Sequence, residues 1–352
     1  MKNHTLKYTL ATLIAALSLP GCNTGTSPHE ARPLIVTEQV PHDSDDPAIW
    51  INHEDPSKSL VLGTDKDANG GVYVFDLKGR ILKEKTVTGL ARPNNIDIGY
   101  GLMLGGKPVD IAVVTERLTS KLRVFALPGM EPIDNGGLPV FENQKFAAPM
   151  GIALYKRPSD NAVFAVVSRK QGPQDGTYLW QYLLEDDGSG QVIATKVREF
   201  GAWSGKKEIE AVAVDNEAGR IYYSDEGFGI RSYRADPEHP DAGAELALFA
   251  TEGITRDHEG IAIVSDSNNG GWIIVSDQSA GELHLYSRNG GTPDTMEHHT
   301  LKRVVKTAAI ETDGIEAAPE LNGTGFPKGL FVAMSDDRTF QYYSLEDIIG
   351  TQ

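Results

Sequence analysis

The chain has 352 residues and a formal net charge of −16. A surface this acidic repels nucleic acid and anionic membranes, so we expect neither as a partner, whereas calcium or another cationic ligand suits it. Cys22 is the only cysteine, which excludes an internal disulfide, thiol catalysis and a zinc–cysteine centre.

The first 22 residues have the layout of a secretory signal. Lys2 and Lys7 precede an apolar stretch, and residues 19–22, LPGC, resemble a bacterial lipobox. We predict an exported protein that is anchored to a bacterial membrane through a lipid on Cys22, or a secreted protein if Cys22 is not lipidated. The apolar stretch is too short to span a bilayer, so the lipid would be the only membrane contact. The polar residues 23–33 are predicted to form a tether.

The rest of the chain repeats with a long period. Short β-rich runs bounded by Gly, Asn and Asp recur, and apolar residues do not follow helical spacing over any long stretch. Six segments open alike, at spacings of 49, 55, 60, 49 and 54 residues: DPAIWI from Asp46, NIDIGY from Asn95, MGIALY from Met150, EAVAVD from Glu210, EGIAIV from Glu259 and DGIEAA from Asp313. After each of them, a second strand ends near a Thr or Ser and a third strand ends on an aromatic residue.

Units of this length, with about four short strands each, are typical of β-propeller blades. We predict an all-β protein in which residues 34–352 form a six-bladed β-propeller, and we expect a monomer. The last unit lacks an outer strand, which PLIVTEQV, residues 33–40, would supply. The ring would then close by pairing the two ends of the chain, which leaves no open sheet edge. Two stacked β-sandwiches are the alternative, and the regular period argues against them.

The residues that open the first strands would surround one end of the central channel. They are Asp46, Asn95, Met150, Glu210, Glu259 and Asp313. The acids among them would repel one another unless a cation lay between them, and oxygen ligands without His or Cys fit calcium. The alternative is that they cap blade turns and face water. Asp45 and Asp46 could share a structural calcium with Asn95 and Asp97 of the second unit.

The loops after the second strands form another column at the same end. Its members are Lys66, Arg117, Lys170, Glu226, Gln278 and Asp336, with Asp225, Asp257 and Asp277 nearby. One half of the ring would be basic and the other half acidic. An acidic half that holds calcium, facing a basic half, suits a phosphorylated small molecule. The alternative for the cations is simple solvation at the surface.

Several motifs, from about Asp43 to the end of the chain, resemble those of the β-propeller phytases, the calcium-dependent alkaline phytases of bacteria. The motifs are DDPAIW, NNIDI, EAVAVDNEAGRIYYSDE, DHEGIAI, SDQS, ETDGIE and FPKGLFVAMSD. The resemblance implies a 3-phytase that removes phosphate from myo-inositol hexakisphosphate (phytate) bound with several calcium ions. It implies calcium ligands at Glu210, Asp225, Glu226, Asp257, Glu259, Gln278 and Asp313, and phosphate-binding cations at Lys66, Arg117 and Lys170.

The mechanism that follows is attack of a metal-activated water on phosphorus. Lys66, Arg117 and Lys170 would neutralise charge on the phosphoryl oxygens. Glu210 and Glu259 would take part in catalysis as carboxylates of the metal site. This chemistry needs no protein nucleophile. Two alternatives remain at this point: a calcium-dependent lactonase or esterase on a six-bladed propeller, and a non-catalytic, surface-anchored ligand-binding propeller.

Overall fold

A computed structural model describes residues 1, 29–266, 270–290, 292 and 295–351. The predicted signal, Cys22 and the first part of the predicted tether lie outside these residues. The described helices include one α-helix, α1 (Leu345–Ile349), and short 3-10 helices at Pro56–Lys58, Arg117–Thr119, Gln278–Ala280 and Pro319–Leu321. Within the described part of the chain, we find no helix with the length and apolar character that a membrane span requires.

The described strands form six sheets, each built on four strands. Two short strands, β1 (His29–Glu30) and β2 (Ile35–Val36), precede the first blade. Blade 1 contains β3 (Ser44–Trp50), β4 (Leu60–Asp65), β5 (Gly70–Phe75) and β6 (Val87–Leu90). Blade 2 contains β7 (Pro93–Leu104), β8 (Lys107–Glu116), β9 (Lys121–Ala126) and β10 (Glu131–Pro132), and β11 (Leu138–Pro139) also pairs with β9. Blade 3 contains β12 (Pro149–Lys156), β13 (Val163–Arg169), β14 (Leu179–Asp186) and β15 (Val192–Phe200).

The remaining blades follow the same order. Blade 4 contains β16 (Val212–Asp215), β17 (Arg220–Asp225), β18 (Gly229–Arg234) and β19 (Ala247–Phe249). Blade 5 contains β20 (His258–Ser265), β21 (Gly271–Asp277), β22 (Glu282–Ser287) and β23 (Leu301–Lys306). Blade 6 contains β24 (Ile315–Ala318), β25 (Leu330–Ser335), β26 (Thr339–Ser344) and the N-terminal β2.

The sheets close into a ring. The first strands of the blades, β3, β7, β12, β16, β20 and β24, contact one another in that order, and β24 contacts β3. Strand β2 pairs antiparallel with β26 and places Ile35 opposite Tyr342. The predicted six-bladed propeller, with its ring closed by an N-terminal strand, is therefore confirmed, and two stacked sandwiches are excluded.

The end of the predicted tether packs on the propeller. Strand β1 pairs in parallel with β23, and the amide of Ala31 donates to the carbonyl of Lys306 at 2.8 Å. Ala31 is 1% exposed within the apolar cluster between blades 5 and 6. The packed domain thus begins a few residues before the predicted position 34, because this short apolar contact and its backbone bonds fix residues 29–33 in place.

The hydrophobic core lies between neighbouring blades rather than at the centre. The described residues form six apolar clusters, one for each pair of adjacent blades. In the cluster of blades 3 and 4, for example, Phe164 and Tyr155 pack with Ile221 and Tyr223. Each blade buries both faces of its sheet in this way, which explains why its strands are nearly continuous apolar runs. The central channel is left for polar side chains.

The innermost strands of four blades begin with a β-bulge. The pairing register shifts after Ser44, Pro93, Pro149 and His258, each time within the first residues of the strand. A bulge places two residues of one strand opposite a single residue of its partner, so consecutive side chains no longer alternate strictly between the two faces. The polar residues that open the first strands therefore lie at the channel end where the chain enters each blade.

A buried hydroxyl in the second strand holds each bulge. Thr64, Thr115, Ser168 and Ser276 accept hydrogen bonds from the amides of Asp46, Asn95, Gly151 and Gly260, at 2.8 to 3.1 Å. The Ser168 hydroxyl also donates to the carbonyl of Ile209 in the next blade at 2.5 Å. Thr115 and Ser276 donate in the same way to Met150 and Thr312, so in blades 2, 3 and 5 this hydroxyl ties the inner strand of its own blade to the segment that opens the next blade.

Candidate functional site

The mouth of the channel contains most of the predicted site residues. A cavity of about 670 Å³ opens there. Its predicted lining residues are Lys66, Lys170, Glu210, Glu226, Asp257, Glu259, Gln278 and Asp313. They meet because strands are antiparallel within a blade, so the start of the first strand and the loop after the second strand lie at the same end. We call this cavity the mouth.

Three carboxylates of the mouth approach one another closely. Oxygen atoms of Glu208, Glu210 and Glu226 all lie within 4.8 Å of one another. Glu226 is 3% exposed, and its Oε1 has no hydrogen-bond partner. Burial, together with the charges of Glu210 and Glu208, raises the pKa of Glu226 to about 9. Crowded, buried and incompletely bonded carboxylate oxygens are the arrangement that a divalent cation stabilises.

Glu210, of the same cluster, and the neighbouring Glu259 have the same electrostatic problem. Burial raises the pKa of Glu210 and holds that of Glu259 well above its ordinary value. Repulsion from Glu226 and Glu210 adds to the effect at Glu259. The mouth therefore resists full ionisation until positive charge is supplied to it.

Lys66 supplies part of that charge from the opposite side. Its Nζ contacts Asp45 and lies 3.1 Å from Asp313 Oδ2. Burial alone would lower the pKa of Lys66, but the carboxylates of Asp45, Glu210 and Asp313 more than offset burial and raise it. Lys66 is therefore a permanent cation that links blades 1 and 6.

Asp45 and Asp46 have no bonding partner in common. Asn94 Nδ2 donates to Asp45 Oδ2 at 3.0 Å and to Glu210 Oε1 at 2.6 Å, which links Asp45 to a carboxylate of the mouth. Asp46 Oδ2 accepts from the amide of Ile96 at 2.9 Å. The bulge at the start of β3 separates the two adjacent acids, which was not expected from the sequence.

Asp46 lines a channel cavity that Asp45 also lines. It shares a cavity of about 150 Å³ with Asn95, Asp97 and Glu316. Asp97 accepts from the amides of Leu154 and Ile98, at 2.6 Å each, and its burial raises its pKa to about 7. The predicted group of Asp46, Asn95 and Asp97 is thus brought together, and a structural calcium there stays a prediction.

The basic and acidic halves of the ring are less separate than the sequence suggested. Lys170 pairs with Glu208, and Lys207, which was not predicted, pairs with Asp257. Gln278 donates its amide to Asp313. Each of these cations therefore contacts an acid of the mouth, and the opposite charges attract.

Arg117 is set back from the mouth. One of its guanidinium nitrogens contacts Met150, and Nε has no hydrogen-bond partner. Burial lowers the pKa of Arg117, while the charge of Glu210 opposes that shift. The Arg117 side chain is therefore close enough to interact electrostatically with the acidic cluster, and its Nε keeps an unpartnered N–H. Its role in phosphate binding stays a prediction.

Asp225 has protein partners on both oxygens. It accepts from the amide and the hydroxyl of Ser204, at 2.8 and 2.7 Å, and from Arg231 Nε at 3.0 Å. It positions the segment 201–208, which contains Glu208, and does not line the mouth. Of the acids noted near the loop column, Asp277 faces blade 4, and Asp336 is exposed.

Sequence reasoning missed Glu208, Lys207 and Trp203 on the segment before β16. The spacing Glu208-Ile209-Glu210 was the available signal, because residues two apart in an extended chain lie on the same side. Trp203 packs its ring against Tyr178 at 5.1 Å and donates to the carbonyl of Lys207 at 2.5 Å. These contacts fix the segment that adds a third glutamate to the cluster.

Three comparisons with known proteins bear on the site. A family model described as Phytase matches residues 18–344. A 3-phytase of Bacillus subtilis (strain 168) is 29% identical over 300 residues, which cover 84% of this chain and 75% of that protein. Among solved structures, the WD40 β-propeller domain of Doa1 aligns with 92% of this chain and 99% of its own, at 14% identity and a TM-score of 0.48. The propeller assignment comes from the sheet order above and does not depend on this last likeness.

Proposed function

Since the chain belongs to the phytase family and is therefore a phosphoric monoester hydrolase, we propose that it releases phosphate from phytate with the help of calcium ions held at the mouth. The observation that supports this most directly is the cluster of Glu208, Glu210 and Glu226, with its buried, unpartnered oxygen. When ionised, carboxylates crowded together with a buried, unpartnered oxygen among them are stabilised by a bound cation.

The residues of the mouth fit calcium better than other common metals. The donors are carboxylate and amide oxygens, without imidazole or thiolate, which is the ligand set of hard cations. Glu208, Glu210 and Glu226 would form the centre of the site, and the outer ligands would come from Asp257, Glu259, Gln278 and Asp313. When bound there, calcium supplies positive charge that polarises a phosphoryl group and makes a nearby water more acidic.

The chain's own cations would orient the phosphate. Lys66 and Lys170 line the mouth, and Arg117 lies behind it with an unpartnered Nε. Ammonium and guanidinium groups donate to phosphate oxygens, and the charge that they neutralise is larger in the transition state than in the ground state. Lys66 and Lys170 are bonded to Asp45, Asp313 and Glu208 in the present form. Countercharge at these acids would free both lysines for the substrate.

We also propose that the protein acts outside the cytoplasm. The support is the signal-like N-terminal sequence that ends in Cys22, which would leave the propeller attached to a membrane by a lipid, or secreted without one. Labelling of the expressed protein with a fatty-acid analogue, with Cys22→Ser as the control, tests the anchor. Label on the wild type that is absent from the variant is expected, and equal labelling of both contradicts it.

The experiment for the proposed reaction is phosphate release from phytate near neutral pH. Protein stripped with a chelator should be inactive, and added calcium should restore release and raise the melting temperature together. Full release by stripped protein would contradict the calcium requirement while leaving the phosphatase assignment intact. Calcium-dependent binding of phytate without turnover would support a binding module, and opening of a lactone without phosphate release would support the lactonase alternative.

A further inference from the structure

Two arginines lie together where the chain passes from blade 1 to blade 2. Arg92 immediately precedes strand β7, and Arg117 immediately follows strand β8. Pro93 and Glu116, the next residues inward, are directly paired in the ladder. The amide of Arg117 donates to the carbonyl of Arg92 at 3.0 Å. Arg92 and Arg117 are therefore opposite each other at the end of the channel where the mouth opens.

The charges of these two guanidinium groups have no countercharge in contact with them. Within the described part of the chain, neither arginine forms an ion pair with a carboxylate. The Arg92 side chain donates no hydrogen bond to the described residues, and Arg117 Nε is buried without a partner. Burial lowers the pKa of Arg117 and the charge of Arg92 lowers it further, because the two cations repel each other. An anion between them would relieve this repulsion and accept their free N–H groups.

The glutamate next to Arg117 does not serve as that anion. Glu116 Oε2 accepts from the amide of Ala91 at 3.2 Å, and its Oε1 bonds to the hydroxyl of Thr119. Its one ion pair among the described residues is with Arg123, at 3.6 Å. The Glu116 carboxylate is thus bonded to other groups of blade 2 and its approach, and the positive charge of the arginine pair remains.

The backbone of Arg92 is strained, and the turn itself does not require an arginine. Its φ is +60°, in the left-handed region that is unfavourable for a residue with a Cβ. The amide of Arg92 donates to the carbonyl of Leu90 at 3.1 Å within this turn. Glycine would form the same turn without strain. Strained residues are concentrated at functional sites, so the side chain is the feature of Arg92 that needs an explanation.

The arginine pair adjoins the mouth on the side of blades 1 and 2. The charge of Glu210 opposes the lowered pKa of Arg117, which places this guanidinium near the carboxylate cluster. Burial raises the pKa of Asp43, and the charges of Lys66 and Arg92 both oppose that shift, although Arg92 forms no ion pair with Asp43. An anion held by the arginine pair would therefore be a neighbour of a phosphate bound at Lys66.

We propose that Arg92, together with Arg117, binds a phosphate group other than the one that is hydrolysed, and that Arg92 thereby favours substrates with several phosphates. This rests on the proposed function, because it takes the mouth as the place of phosphate release. Guanidinium groups bind two phosphate oxygens at once, which gives orientation as well as affinity. Released inorganic phosphate presents the same oxygens and is the other source of such an anion.

The test compares phytate with p-nitrophenyl phosphate, which carries a single phosphate. Arg92→Gln should raise KM for phytate at least about tenfold, the effect of losing a charge-assisted hydrogen bond, with kcat unchanged. KM for p-nitrophenyl phosphate should stay the same, and Arg92→Lys should restore part of the loss. Arg80→Gln, at an exposed arginine of blade 1, is the matched control and should alter neither KM. An unchanged KM for phytate in Arg92→Gln overturns the proposal, and weaker inhibition by inorganic phosphate alone would assign the pair to the released product.

Two further measurements separate this role from a structural one and from the reaction itself. Arg92→Gly should raise KM for phytate as Arg92→Gln does without lowering the melting temperature, because glycine suits the left-handed backbone; a lower melting temperature with equal losses on both substrates would show a structural role. Isothermal titration with the hexasulfate ester of myo-inositol, which releases no phosphate, should give binding at least about tenfold weaker in Arg92→Gln than in the wild type. Equal binding contradicts the arginine site, whereas weaker binding without phytate turnover by the wild type would contradict only the proposed reaction.

Discussion

At the scale of single residues, the partner of a carboxylate decides its role more than its place in a sequence motif does. Asp45 and Asp46 are adjacent and line the same channel cavity, yet Asp45 bonds to Asn94 and Lys66 and Asp46 bonds to the amide of Ile96. Asp225, in the middle of a family motif, has both oxygens bonded to the protein. Glu208, outside any motif that we recognised, lies in the tightest carboxylate cluster.

Glu210 is expected to be the most sensitive of these acids. It contacts Asn94 and belongs to the glutamate cluster, so a neutral amide in its place removes charge from the centre of the metal site. We predict that Glu210→Gln lowers phosphate release at least about a hundredfold, the range seen when one electrostatic stabiliser of a transition state is removed. Steady-state assays with phytate measure the loss, and circular dichroism checks the fold. An unfolded product would point to a structural ion, and Glu54→Gln, at an exposed turn, is the matched control.

Glu208 was identified from the structure and not from the sequence, so a substitution there tests the site as the structure defines it. If its carboxylate is a calcium ligand, Glu208→Gln should raise the calcium concentration that gives half-maximal activity by roughly ten- to a hundredfold. It should also free Lys170, its partner in the present form. Calcium titration of activity measures the change. An unaltered calcium requirement would show that Glu208 serves only as countercharge for the lysine.

At the scale of the element, the β-bulge is the device that builds the mouth. It occurs at the start of the innermost strand in blades 1, 2, 3 and 5, and a hydroxyl of the second strand holds it in each case. A bulge adds a residue to one strand only, so two neighbouring side chains can both serve the channel end. Without it, strict alternation would turn every second polar residue of these strands into the apolar space between blades.

The hydroxyls provide a stability prediction with an internal control. Ser168 accepts from the amide of Gly151 at 2.8 Å and donates to the carbonyl of Ile209 at 2.5 Å, whereas Ser224, at the same place in blade 4, is buried with no partner for its hydroxyl. We predict that Ser168→Ala lowers the free energy of unfolding by about 1–3 kcal/mol, because two buried backbone groups lose their partner. Ser224→Ala should have little effect. Urea unfolding compares the two, and equal costs would contradict the role of the bulge bond.

At the scale of the whole molecule, closure of the ring brings polar residues from separate blades into one site. Each blade contributes a few polar residues at one end, and closure by β2 and β26 brings these groups together around a single axis. The apolar clusters between blades hold the ring rigid, so the repulsion among the acids cannot be relieved by moving the blades apart. We therefore expect bound cations at the mouth to stabilise the protein.

The calcium-stripped protein should become less stable as the pH rises. Burial raises the pKa of Glu226 from an ordinary value of 4.5 to about 9. Between these values the folded state binds more protons than the unfolded state, and the free energy of unfolding falls with increasing pH. We predict that the melting temperature of stripped protein decreases from about pH 5 to about pH 9, that calcium removes much of this slope, and that Glu226→Gln reduces it without calcium. Scanning calorimetry measures all three, and a melting temperature that rises over this range would contradict the electrostatic account.

The sequence alone determined the architecture and most of the predicted residues that line the mouth. Hydrophobic patterning is local, so the strands could be predicted from short stretches of sequence. The blades could be predicted from the repeat, because blades of one propeller are of similar size and give units of similar length. The columns placed Lys66, Lys170, Glu210, Glu226, Glu259 and Asp313 at one end of the channel, and the structure has them around one cavity. Closure of the ring by residues 33–40 was likewise predictable, because an open last blade leaves an unpaired edge.

Only the tertiary structure decided which side chains meet. The bulges that separate Asp45 from Asp46, the loop that delivers Glu208 beside Glu226, and the protein bonds that occupy Asp225 depend on contacts between segments far apart in the chain. The same holds for Arg92, whose place opposite Arg117 follows from strand register rather than from any motif. Periodicity fixes the direction of a side chain within its own strand, but distance to a partner in another blade is set by register, bulges and packing, which the chain acquires only on folding.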